Sequence, residues 1–370
     1  MTFASDRFEE NQAAIAKQHE DMQRTQRAAR TSRFKFEPQA VMQLLRQRIV
    51  GQAQALTEIE QMLQVVKADF NHPERPLAVM MMLGSTGIGK TETVRIISEA
   101  IYGRNDAFCR IDMNTLSQEH YAAALTGAPP GYVGSKEGTT LFDIEAIQGS
   151  FSKPGIILFD EIEKASKEVI RSLLNVLDNG KLSLSSGVKT IDFRNCMIFM
   201  TSNVGAKALQ QQWGNWKFSV QHLFKSRDAY EQKIIDAALQ QQFDPEFLNR
   251  IDRILHYQRI TLDTIPALVG IELQKLNQRL SKQARTVSID TAVIEQLKNQ
   301  YDGRFGARHL GRQIRTQIEP IIAAYILQYP NADLIHICTQ NGRFIVSPLE
   351  KIQQQNDLAL DAGANYVTRL

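Results

Sequence analysis

Gly84-Ser85-Thr86-Gly87-Ile88-Gly89-Lys90-Thr91 is the stretch that decides how the chain is read. An apolar run, Ala78 to Leu83, leads into it, and a helix-forming segment, Glu92 to Tyr102, leads out. Strand, glycine loop, Lys-Thr and helix together make a P-loop context, which is far more specific than glycines alone. Backbone N–H groups from Gly84 through Gly89, with Thr86, Gly87 and Ile88 between, are expected to turn toward phosphate oxygens. The helix start carrying Glu92 adds positive dipole there. Lys90 is placed to reach the β- and γ-phosphates, and the Thr91 hydroxyl to sit on Mg²⁺. The loop therefore predicts ATP with Mg²⁺ as its ligand.

The rest of the composition is consistent with a large α/β protein. At 370 residues the chain can form two or three domains around a sizeable core. With 43 Lys+Arg against 40 Asp+Glu, the net charge of +3 argues against a strongly electrostatic nucleic-acid binder. Cys109, Cys196 and Cys338 each sit in an apolar run, with neither disulfide nor zinc spacing, as expected of buried thiols in a reducing compartment. The first residues contain no apolar signal region, and no apolar run approaches the roughly 18–20 residues that span a bilayer. A cytoplasmic location is expected.

Outward from the loop, apolar runs alternate with helical segments. Ala107–Met113, Gly155–Phe159 and Cys196–Met200 read as further strands, and Ser117–Leu125 and Ser166–Leu177 as helices. Apolar strands without period-two alternation indicate a parallel sheet covered on both faces. A β-hairpin is expected from about Asn179 to Phe193. The division predicted is a helical extension over 1–35, a large α/β domain over 36–255, a smaller mainly helical domain over 256–349 and a polar tail over 350–370. In the extension, Phe8, Ile15, Met22 and Ala29 form one thin apolar stripe. The second stripe of a self-sufficient coiled coil is missing, because Asn11, Gln18 and Thr25 occupy it. Residues 204–255 read as irregular helix, and a linker separates helices Asp263–Gln283 and Asp290–Asn299. A single long helix is expected over Arg308–Gln328.

Beyond the loop, five places carry chemistry. Asp160 and Glu161 end an apolar strand. After a P-loop such a pair suits Mg²⁺ binding by Asp160 and polarisation of the attacking water by Glu161. Asn203 ends the next strand, from which its amide can orient the water or contact the γ-phosphate. Arg250 closes a short helix, from which it can reach a neighbouring subunit's nucleotide or pair within the chain, with Asp252 for example. Arg308 opens a helix, where its charge opposes the dipole and an anionic partner would relieve it. Tyr132 and Val133 lie between glycines in Gly131-Tyr132-Val133-Gly134, an aromatic with no evident core to join, suited to presenting a ring to a ligand.

These elements together resemble the AAA+ Clp/ClpB class of protein unfoldases, in particular the second ATPase module of two-module members. The likeness rests on Leu125-Thr-Gly-Ala-Pro-Pro-Gly-Tyr-Val-Gly-Ser-Lys-Glu-Gly138, Asp160-Glu-Ile-Glu-Lys-Ala165, Leu173 to Leu182 and Asp192 to Asn203. It extends to Phe243 to Asp252, Gly306-Ala-Arg308 and Ile49-Val50-Gly51-Gln52. It covers roughly residues 40–345, in the family's order. The resemblance implies an AAA+ P-loop NTPase fold and ATP bound between the subunits of a homo-hexameric ring. It further implies adenine contacts from Ile49 and Val50, a trans role for Arg250, a phosphate-sensing role for Arg308, and Tyr132 facing a central channel. The chain departs from the family in having no first ATPase module, N-terminal globular domain or middle coiled coil. The arm between Asn203 and Arg250 also lacks an Ile/Leu-Gly-Phe/Leu tripeptide, so coupling to a ClpP-like peptidase is not expected.

Two functions are consistent with this. The first is an ATP-driven remodeller that grips a polypeptide client through Tyr132, the client being a dedicated one recruited through residues 1–35. The second is a nucleotide-dependent assembly switch on a macromolecular complex, DNA-bound among the cases, for which the small net charge and the lack of a DNA-reading motif are unfavourable.

Overall fold

Five buried or partly buried strands form one parallel sheet. They are β1 (Ala78–Leu83), β2 (Cys109–Asp112), β3 (Gly155–Asp160), β6 (Cys196–Ser202) and β7 (Arg253–His256), in the order β2-β3-β6-β1-β7. This computed structural model describes residues 32–117, 141–183, 190–213 and 227–347. The Tyr132–Val133 stretch, the apolar stripe of the N-terminal extension and the polar tail lie outside the described residues. Strands β4 (Lys181–Ser183) and β5 (Thr190–Asp192) pair antiparallel, as the hairpin reading expects.

Alternate residues of the central strands feed two separate cores. Met80, Met82, Leu158 and Phe199 face α1 (Pro38–Arg48), α2 (Ala53–Ala68) and α3 (Lys90–Tyr102). Met81, Phe159, Ile198 and Met200 face α5 (Lys167–Asn179) and the helices α7 (Arg227–Gln242) and α8 (Pro245–Leu248). Two-sided burial is why these strands are apolar up to their carboxyl ends. The short helix α4 (Ile144–Gln148) covers the β2–β3 end, and α6 (Val204–Trp213) follows β6. Phe34 and Phe36 are buried in the first core although residues 32–37 are not helical. That part of the extension is anchored by aromatic packing instead.

A smaller body follows, with its own apolar core. Helices α9 (Ile265–Leu280), α10 (Thr291–Asn299), α11 (Ala307–Gln313) and α12 (Glu319–Gln328) pack on a sheet of β8 (Thr286–Ile289), β9 (Leu334–Gln340) and β10 (Arg343–Val346). Sequence patterning misses four features here and in the large body. The segment expected to be helical through 255 ends in β7, and the expected linker before Asp290 contains β8. The helix expected from Ser117 is preceded by a 3₁₀ turn, Met113–Leu116, capped by Asp112, with Ser117 at its C-terminal end. The long helix over 308–328 is interrupted by a π turn over Ile314–Ile318, just before Pro320, whose missing N–H prevents regular continuation.

Phe247 is fully buried against Phe243, with ring centroids 5.3 Å apart, and fixes the segment leading to Arg250. Phe247→Ala should cost about 3–5 kcal/mol in urea unfolding. Phe151→Ala, at a site 78% exposed, should change stability by no more than about 0.5 kcal/mol.

Candidate active site

The sheet order brings three sequence-distant motifs together. Strands β1, β6 and β3 are neighbours, so the loop after β1, Asn203 after β6 and Asp160 at the end of β3 share one edge. That edge, at the carboxyl ends of parallel strands, is where open α/β sheets bind ligands. A cavity of about 640 Å³ lies there, between the sheet and the smaller body. Of the residues singled out in the sequence, Ile49, Val50, Thr86, Gly87, Ile88, Gly89, Lys90, Thr91, Glu92, Asp160, Glu161, Asn203 and Arg308 all line it. Gly84 lies just behind, with its carbonyl accepting a hydrogen bond from Lys90 Nζ.

Lys90 is 7% exposed, and its ammonium also donates to Ser85 O at 2.8 Å and Asn203 Oδ1 at 2.9 Å. Burial pulls its pKa from 10.5 down to about 8, opposed by Glu163, Asp160 and Glu161. A cation held this way at a helix N-terminus gains from an anion placed before it. Arg308 lines the same cavity, and its side chain forms no hydrogen bond or ion pair with the described residues. These two cations and the loop amides fit a polyphosphate.

Asp160 is held on both oxygens. Thr201 Oγ1 donates to Oδ1 at 2.5 Å, while Arg110 Nη2 and Nε donate to Oδ2 at 2.6 and 3.2 Å. Thr201 Oγ1 in turn accepts the Glu161 N–H at 2.9 Å. Glu161 has φ of +59°, a left-handed conformation that costs a non-glycine residue roughly 1–3 kcal/mol. The turn directs the chain sharply at the point where Glu161 meets the cavity. Glu163 accepts the Asn203 N–H at 3.2 Å, fixing the end of β6. Among the described residues no acidic or histidine cluster suits a bare metal ion. Thr91 and Asp160 instead fit Mg²⁺ arriving with phosphates, since that ion is usually held by one or two carboxylates plus its substrate.

At the other end of the cavity, Ile260, Leu268 and Ile271 join Ile49 and Val50 in an apolar patch suited to a flat ring. Arg48 is fixed beside it by two hydrogen bonds of 2.6 Å to Glu99. Sequence reading missed Arg110, Thr201, Ile260, Leu268 and Ile271 as site components. Only Arg110 had a local signal, as a charge two residues before the end of a strand next to β3. Arg250 does not line the cavity. Its Nε lies 2.5 Å from Asp178 Oδ1, not beside Asp252, which pairs with Arg75 at 3.4 Å.

Residues 75–254 match the family described as AAA domain (Cdc48 subfamily), and residues 258–337 match the C-terminal, D2-small domain, of ClpB protein. The ATP-dependent protease ATP-binding subunit-like protein AmiB of Pseudomonas aeruginosa is 46% identical over 308 residues, covering 82% of this chain and 83% of its own. The chain belongs to the Clp/ClpB class of AAA+ ATPases. The ATP-dependent Clp protease ATP-binding subunit ClpC of Staphylococcus saprophyticus is 39% identical over 287 residues, but this chain spans only 34% of it. A closed-state cryo-EM reconstruction of Hsp104 with ATPγS and FITC casein aligns with a TM-score of 0.69 at 26% identity, over 84% of this chain and 51% of that one.

As an AAA+ ATPase the protein binds nucleotide, and Lys90 gives a pH signature of the nucleotide-free state. The unfolded chain keeps this lysine protonated up to about 10.5 while the folded one releases the proton near 8. Stability of the wild type relative to Lys90→Met should therefore rise between those pH values, by up to about 1.4 kcal/mol per pH unit. Urea titrations across the range measure it. A flat difference would mean that the ammonium is not depressed.

Proposed function

We propose that this AAA+ ATPase couples ATP hydrolysis to remodelling or unfolding of a polypeptide client, as one subunit of a homo-hexameric ring. The observation that carries this is the convergence of Lys90, Asp160, Glu161, Asn203 and Arg308 on one cavity between the two bodies. Bound Mg²⁺ would neutralise charge developing on the phosphates. The chain's own groups supply the rest. The loop amides, Lys90 and Arg308 bind the phosphates, Thr91 and Asp160 face the ion, Glu161 takes the part of general base, and Asn203 orients the water. Ile49 and Val50 hold the adenine.

Two further assignments belong to the same reading. Arg250 completes the site of a neighbouring subunit, in keeping with its position away from its own cavity. Tyr132 and Val133 grip the client, and residues 1–35 recruit it, with no ClpP-like partner needed. The alternative, a nucleotide-dependent switch on a macromolecular complex, would use the ATPase without Tyr132. Among the described residues no helix is long and apolar enough to cross a membrane.

Glu161→Gln should retain ATP binding and lose hydrolysis by at least about 10²-fold, the lower end for a general base. Used as a trap in cell extract with ATP, it should retain polypeptide. Tyr132→Ala should lose remodelling of a captured client by a much larger factor than it loses ATP hydrolysis. Remodelling that survives Tyr132→Ala, or capture of a DNA-bound complex independent of Tyr132, would favour the switch.

A further inference from the structure

Arg110 is exposed over much of its side chain, yet it is committed to one acidic oxygen. Its Nη2 and Nε both donate to Asp160 Oδ2, at 2.6 and 3.2 Å. A carboxylate offers about four lone-pair sites. Arg110 takes the two on Oδ2 and Thr201 takes one of the two on Oδ1. The carboxylate is 12% exposed, so its charge is neutralised mainly by this guanidinium and not by water. Lys90 adds only a through-space attraction, because its hydrogen bonds go to Gly84, Ser85 and Asn203.

We infer that Arg110 is a positioning residue that serves as the counter-ion of Asp160 when magnesium is away, and that magnesium and the guanidinium exchange on this carboxylate. The inference rests on the nucleotide-binding reading of the cavity, which Arg110 also lines. Two positive groups on one carboxylate repel, and the guanidinium blocks Oδ2 sterically. Metal entry therefore loosens Arg110, whose side chain is 44% exposed and can swing into the cavity toward the anion there. Conversely, loss of metal restores the clamp and keeps Asp160 from repelling a metal-free nucleotide. Arg110 thereby narrows the difference between the metal-bound and metal-free affinities for nucleotide.

The test is the affinity of the full chain for a fluorescent ADP analogue, MANT-ADP, in magnesium and in EDTA. The readout is the ratio of the EDTA Kd to the magnesium Kd. Arg110→Met removes the clamp, so binding in EDTA should weaken and binding in magnesium should hold or tighten. The ratio should rise at least tenfold over wild type. Arg110→Lys keeps a charge but cannot place two N–H groups on Oδ2, and its ratio should fall between the two. Thermal unfolding gives a second measure, with Arg110→Met melting below wild type in EDTA and recovering when magnesium and MANT-ADP are added. An unchanged ratio in both variants would overturn the assignment. So would a lower ratio, which would make Arg110 a support for metal binding. A wild-type chain that binds MANT-ADP in neither condition would overturn the nucleotide reading as well.

Discussion

The contact on which the site depends is made between two backbones. The Ala307 N–H donates to Gly87 O at 2.8 Å, joining the P-loop to the first turn of α11. A Cβ at Gly87 would lie 2.5 Å from Phe305 O, and one at Gly306 would lie 2.6 Å from Gly87 O. Both residues have positive φ, +75° and +60°, so glycine is required here for space and for conformation. Because no side chain intervenes, any rotation of the smaller body is transmitted directly to the loop that binds phosphate. Arg308, one residue beyond the contact, moves with it. In the proposed function, a change at the phosphates would be felt through this contact as a change in the angle between the bodies.

The charges around this contact are only partly compensated by the protein's own groups. Lys90 is buried, and although oxygens surround it, its proton is held weakly. Asp160 is neutralised by Arg110 and Thr201. Glu161 stands on a left-handed turn, and one oxygen of Glu163 is buried without a hydrogen-bond partner. Of these, the Lys90 ammonium, destabilised by burial, faces the cavity, and a bound polyphosphate would offset that cost.

The parts legible in the sequence are those where one physical demand acts on consecutive residues. Ala78–Leu83, Gly155–Phe159 and Cys196–Met200 are buried on both faces and therefore apolar throughout. The P-loop and Asp160-Glu161 are likewise contiguous, because one turn must do several jobs at once. Strand β7, Arg253-Ile254-Leu255-His256, is at the sheet edge with one buried residue, and nothing in its composition separates it from the helices before it. Strand β8 is as short and also has a single buried residue. Arg110 escaped notice for a different reason, since its significance comes from the neighbour that the strand order gives it. The π turn before Pro320 was hidden because helical periodicity is nearly preserved through it.

Arg250 shows how far a single chain defines the active site. Its helix is anchored by Phe247, and its backbone carbonyl accepts a hydrogen bond from Arg75 Nη2 at 3.1 Å. The position of the residue is thus fixed by the core. Its guanidinium is not fixed in the same way. The pair with Asp178 is close, but Nε makes no well-directed hydrogen bond, and the two side chains are 38% and 31% exposed. Pairs of this kind are worth about 0–1 kcal/mol, far less than a desolvated contact with phosphate. A rigid backbone carrying a weakly committed guanidinium is what an arginine needs if it is to wait for an anion that its own chain does not hold. On this reading Asp178 parks the charge until a neighbouring subunit presents a nucleotide. In the proposed ring, the small cost of leaving Asp178 would let subunit contact decide where Arg250 points.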